Sequence, residues 1–165
     1  MKLSHLAAAA LSVALIASAH AEVSKKDHEF LSKAAVGGLY EVAAGKLAQE
    51  KASTEGVKSY AATLVKDHGA ANDELKSLAA SKGVTLPAAL PAAKQSRLDK
   101  LSQAKNFDRE FVKEIGLDDH RTDIALFEKA SRSADDVDIK AFAAKTLPVL
   151  KSHREHADGL NKTLK

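Results

Sequence analysis

Apolar residues recur at spacings of three and four over four long stretches of this chain, and the strict alternation of a half-buried strand is scarce. The pattern predicts helix A over about 25–52, B over about 54–82, C over about 106–133 and D over about 136–164. Gly83 after Lys82 stops B, and Ser133 to Asp136 offers capping side chains and acid for the first turn of D. Between B and C, the stretch from Gly83 to Lys105 is long for an unstructured connection. Pro87 and Pro91 break its first part, and Ala92 to Ala104 reads as a short extra helix. The expected fold is all-α, a four-helix bundle with that extra helix in the B/C connection.

The seams of these helices carry the informative residues. On B, Val57, Ala61, Leu64, His68, Ala71, Leu75 and Leu78 share one face, so a histidine holds a core position. On D, Ile139, Phe142, Thr146, Leu150, His153, Ala157, Leu160 and Leu164 do the same, again with one histidine. On C, Leu117, His120, Ile124 and Phe127 form a face that Glu110 and Lys113 blur upstream. Helix A presents Phe30, Ala34, Gly37, Gly38, Glu41, Ala44, Gly45 and Ala48, a face of mostly small residues with one carboxylate in it. A carboxylate buried there needs a partner.

Depth turns these four residues into a constellation. At ~1.5 Å per residue, Glu41 lies roughly 17 Å and His68 roughly 21 Å from the A/B turn. His120 and His153 lie about 13 and 17 residues from the C/D turn, also near mid-bundle. Glu41, His68, His120 and His153 are therefore the candidate ligands of one metal ion, and three neutral imidazoles with a carboxylate suit zinc, iron(II), copper(II), nickel or manganese. The competing reading is a polar core network in which Glu41 accepts hydrogen bonds from the imidazoles and no metal is held. His156 is expected at an edge and His28 in solvent. Asp67 and Asp119 point about 100° off their seams, toward solvated faces, with orientation of a ligand histidine as the sharper alternative. Pro148 removes a helix-D hydrogen bond one turn before His153 and is expected to kink the helix there.

The N-terminus changes the compartment. Lys2, the uncharged run from Leu3 to Ala17 and Ala19-His20-Ala21 have the layout of a secretory signal, so residues 1–21 are expected to be removed and 22–165 to form the single bundle domain of a periplasmic protein. Cleavage takes only Lys2 among the charged residues, so a net charge of +3 becomes +2, which selects no partner class. No basic block with interleaved aromatics supports nucleic-acid binding, and no membrane span is expected after cleavage. The chain has no cysteine, and its one methionine is Met1, so the processed form would lack the sulfur ligands that copper(I) prefers.

A set of short motifs carries a family resemblance. Gly37-Gly38-Leu39-Tyr40-Glu41 with Gly45 and Leu47-Ala48, Asp67-His68, Phe107-Asp108, Asp119-His120 with Leu126-Phe127-Glu128, and Ala143 to Pro148 with His153 resemble the bacterial exported domain-of-unknown-function family numbered forty-one forty-two. The resemblance spans about Lys26 to Leu160 and implies a ferritin-like four-helix bundle. It implies no activity. Members are often labelled outer-membrane proteins, which fits poorly here because neither barrel strands nor a lipidation cysteine is present. Ferritin-like di-iron centres use Glu-x-x-His, whereas Val65, Leu117 and Leu150 stand three residues before the histidines of this chain. One mononuclear site is the most the seams support. No nucleophile with a positioned base and no phosphate-cradling loop appears, so the expectation is a periplasmic metal-binding protein in metal buffering or stress protection, and not an enzyme. The alternative is a non-catalytic envelope interaction protein with the polar network as its core.

Overall fold

Each long helix starts where the chain supplies a capping oxygen. Ser24 accepts from the Asp27 amide, Thr54 from that of Val57, and Asp136 from those of Asp138 and Ile139. The computed structural model describes residues 22–164, so the expected signal segment at 1–21 lies outside the described residues. The elements are α1 (Lys25–Lys51), α2 (Glu55–Ser81), α3 (Ala92–Ser102), α4 (Phe107–Phe111), a π-helical segment (Val112–Asp119), α5 (His120–Ser133) and α6 (Val137–Thr163). Element α4, the π-helical segment and α5 follow one another directly and together make the expected helix C. Helix ends fall within one or two residues of the sequence expectation, and α6 runs through Pro148 without a break.

The π-helical segment explains the blurred seam of helix C. Its turns are wider than 3.6 residues, so the buried set Phe107, Asp108, Phe111, Val112, Ile115 and Gly116 leads to His120 without passing through a single 3.6-residue stripe. Leu117, expected on the seam, is only partly buried.

Two buried aspartates set the topology. Asp27, at the start of α1, accepts from the amides of Asp135 and Asp136 in the α5/α6 turn. Asp108, at the start of α4, accepts from the amides of Ser53 and Thr54 in the α1/α2 turn. Helix α1 therefore begins at the end of the bundle where α5 finishes, and α4 begins at the end where α1 finishes. The directions are up, down, down, up, and the segment from Lys82 to Asn106 must return along the length of the bundle. This is the single long crossover of a ferritin-like bundle. Its helix α3 lies on α1, with Lys94 Nζ 4.3 Å and the Arg97 guanidinium 5.1 Å from the centre of the Tyr40 ring.

The apolar interior is split in two. One cluster gathers Phe30, Leu31, Leu75, Phe127, Ile139 and Phe142 near the α5/α6 turn. The other gathers Val57, Tyr60, Leu64, Phe111, Ile115 and Ala157 toward the α1/α2 turn. Polar side chains occupy the layer between them.

Candidate metal centre

That layer holds all four expected residues: Glu41 from α1, His68 from α2, His120 at the start of α5 and His153 from α6, exposed by 1%, 6%, 0% and 4%. One ring nitrogen from each of His68, His120 and His153 lies within 4.8 Å of the other two. His28 and His156 are exposed, as expected, and the His156 ring rests 5.1 Å from that of Tyr60.

The partners of each imidazole assign its proton. His120 Nδ1 lies 2.9 Å from the Ile115 carbonyl oxygen, which can only accept, so the proton sits on Nδ1 and Nε2 is bare. His153 Nε2 lies 3.0 Å from Asp67 Oδ2, so its proton sits on Nε2 and Nδ1 is bare. These two bare nitrogens, His120 Nε2 and His153 Nδ1, face each other at 3.3 Å with no proton left to bridge them. His68 Nδ1 lies 2.9 Å from Glu41 Oε2, and His68 Nε2 is buried without a hydrogen-bond partner. Each ring thus sets one nitrogen against an oxygen acceptor, which leaves the other without the proton. Burial is the leading reason that they stay neutral. It pushes His68 down to about 4 and holds His120 and His153 below the ordinary histidine value, against the upward pull of Glu41 and Ile115 on His120 and of Asp67 on His153.

Glu41 stands apart from the other three expected residues. The three imidazole nitrogens that come within 4.8 Å of one another do not include it, and its Oε2 and Oε1 lie 2.9 Å from His68 Nδ1 and 3.1 Å from His120 Nδ1. That N–H is aimed at Ile115, so Glu41 Oε1 has no hydrogen bond in spite of the short distance. A carboxylate beside those nitrogens is placed to orient the rings. Burial pushes Glu41 up to about 7, against the downward pull of His120.

Asp67 takes the sharper of its two readings, because it orients His153 and is only partly exposed. Asp119 instead pairs with Arg97 at 3.0 Å. Asp123 is the residue that sequence reasoning missed. It faces Gly37, where a Cβ would sit 3.5 Å from its oxygens, and lines a cavity of about 20 Å³ with Gly38, Glu41, His68 and Asn72. Burial first, then Glu41, push it up to about 8. The available signal was its place three residues after His120 on the same helical face. Gly38 has a related role, since a Cβ there would overlap Asn72 Oδ1.

Comparison with known proteins adds the fold's relatives. The family described as "Domain of unknown function (DUF4142)" matches residues 13–160. No curated protein matches the sequence. Among solved structures, a DUF305 fragment from Deinococcus radiodurans superposes with a TM-score of 0.74 at 11% identity, covering 87% of this chain and 100% of its own. Two structures of CopM, described as the Cu(I)-bound and Cu(II)-bound forms, superpose with TM-scores of 0.71 and 0.72 at 16% identity. They cover 83% and 84% of this chain and 96% and 97% of CopM.

Proposed function

The chain belongs to the DUF4142 family, and on that premise we propose that it is a periplasmic metal-binding protein whose His68, His120 and His153 hold one transition-metal ion, for metal buffering or protection against metal stress. The observation that carries this reading is the pair of bare nitrogens, His120 Nε2 and His153 Nδ1, facing each other at 3.3 Å. Two lone pairs at that distance repel unless a cation lies between them or beside them. The unpartnered nitrogen of His68 completes the set. Such an ion would bring a Lewis-acid charge to which the three rings donate, while Ile115, Asp67 and Glu41 keep the rings turned inward.

Copper(II) is the first candidate. Imidazole suits it, it heads the divalent affinity order, and the CopM structures that share this fold carry copper. Zinc and iron(II) accept the same donors. Three protein ligands are one fewer than a closed structural zinc site uses, which favours a site that exchanges its ion.

Metal analysis of tag-free protein from the periplasm tests the reading. The expected result is one equivalent of a transition metal and a rise in melting temperature on adding it to the stripped protein. Neither a stoichiometric metal nor a melting shift would leave the second reading, an envelope protein whose hydrogen-bonded core sets helix register. The buried contact of His68 with Glu41 and the bond of His153 to Asp67 would serve that role without any ion.

A further inference from the structure

His120 is fully buried, and the inner cavity beside His68 and Asp123, at about 20 Å³, has room for about one water. A much larger cleft, of about 290 Å³, opens at His68 between α2 and α6. Asp67, His68 and His153 of the centre border it, together with Glu74, Lys145 and Val149 at the surface. On the same measure the cleft is more than ten times the inner cavity, so a divalent cation with its water shell is admitted to the cleft and not to the inner cavity.

The charges in the cleft suit a cation that arrives and sheds water. Asp67 remains 32% exposed while its Oδ2 holds His153 Nε2, so one carboxylate touches both the cleft and a ligand ring. Glu74 is paired with Lys145 Nζ at 2.9 and 2.8 Å, and the two side chains are 45% and 69% exposed. An ion pair that open is weak and screened by salt, so a divalent cation can displace the ammonium. His68, whose buried Nε2 has no hydrogen-bond partner, borders the same cleft.

We propose that the α2/α6 cleft is the access route of the metal ion, with Glu74 and Asp67 as its receiving carboxylates and Lys145 as the counter-charge that the ion replaces. The route rests on the metal reading above and adds a kinetic claim to it. An obstacle in the route changes how fast the ion enters and leaves, and leaves the affinity alone.

The test is stopped-flow mixing of the metal-free protein with copper(II) chloride, followed by quenching of tyrosine emission. Tyr40 and Tyr60 are the only tyrosines, and there is no tryptophan. Val149 is 39% exposed, so Val149→Phe should fold and partly fill the cleft. It is expected to slow uptake and chelator-driven release by one common factor at an unchanged Kd. Lys145→Glu should speed uptake by about tenfold at low ionic strength, with the gain shrinking as salt is added. Thr85→Phe, in the separate groove beside α1 and the loop after α2, should leave the rates alone. Copper bound at wild-type rates by both Val149→Phe and Lys145→Glu overturns the route while the metal reading stands. A wild-type protein that takes up no copper, zinc or iron(II) overturns the metal reading and the route with it.

Discussion

The bundle buries acid in two settings that look alike in sequence and differ in chemistry. At its two ends, Asp27 and Asp108 each accept hydrogen bonds on both oxygens, from the amides of Asp135 and Asp136 in one case and from Ser53 and Thr54 in the other. Each joins the first turn of one hairpin to the closing turn of the other. In the middle, Glu41 Oε1 and His68 Nε2 are buried without hydrogen bonds, and two bare imidazole nitrogens face each other. A buried carboxylate whose oxygens are all satisfied by the turn they face is structural. A layer that leaves its bonding capacity open in one direction is what the proposed metal site draws on.

Breaking the end ties should have the largest effect. Asp108→Ala leaves two backbone amides and a hydroxyl without their charged acceptor, a loss of about 3 kcal/mol at the scale of hydrogen bonds to charged groups. Chemical denaturation should show that loss equally with and without added metal. Asp27→Ala should behave alike. An Asp108→Ala protein that keeps its stability but loses its metal-induced melting shift would reverse the comparison.

The centre should give the complementary result. At a hundredfold excess over Kd, a ligand bound only by the folded state adds about 2.7 kcal/mol. His68→Ala, His120→Ala and His153→Ala should each abolish that increment, read as the metal-induced shift in melting temperature. A shift that survives in all three puts any bound metal elsewhere.

Gly116→Ala probes the join between the two settings. A Cβ there would lie 2.5 Å from the Ala157 Cβ and 3.2 Å from the Tyr60 hydroxyl, so the π-helical segment must move. Overpacking of this kind costs about 1–3 kcal/mol. Because His120 follows that segment and bonds Ile115 within it, the metal increment should fall as well. Stability lost with the metal increment intact would show that the segment serves packing alone.

Acid should separate Asp108 from a neutral replacement by a smaller amount. Burial alone would raise its pKa, but the hydrogen bonds from Ser53 and Thr54 outweigh it and hold the carboxyl below the usual aspartate range. A lowered folded pKa means that the stabilisation is complete above the unfolded value near pH 4 and fades as pH falls through the folded one. The stability gap between wild type and Asp108→Asn should therefore be constant at neutral pH, about 1 kcal/mol or more, and close below about pH 4. A gap that closes near pH 6 would point to histidines instead. His28→Ala, in solvent, should change stability by less than about 0.5 kcal/mol and metal binding not at all.

Much of this was legible beforehand, for a local reason. The 3.6-residue period is written in consecutive residues, so the helix spans, the core positions of His68, His120 and His153, and their common level could be read from spacing and rise per residue. Glu41 was found at the right depth, while its neighbours were not legible. Its position on α1 says that it is buried, and only the packing of α2 and the π-helical segment against it decides which ring nitrogen it meets. Asp67 lies off the seam of its own helix and reaches His153 because α6 packs beside it. The ties made by Asp27 and Asp108 span 108 and 55 residues, so no local pattern contains them.

The chain alone determined an all-α bundle, its long B/C connection and three histidines in one layer, because periodicity and length are properties of neighbouring residues. Only the tertiary structure decided which face of each imidazole carries the proton, which carboxylate orients which ring and where the layer opens to solvent. Those depend on side chains brought together across helices, at distances of about 3 Å that a small shift in packing would abolish.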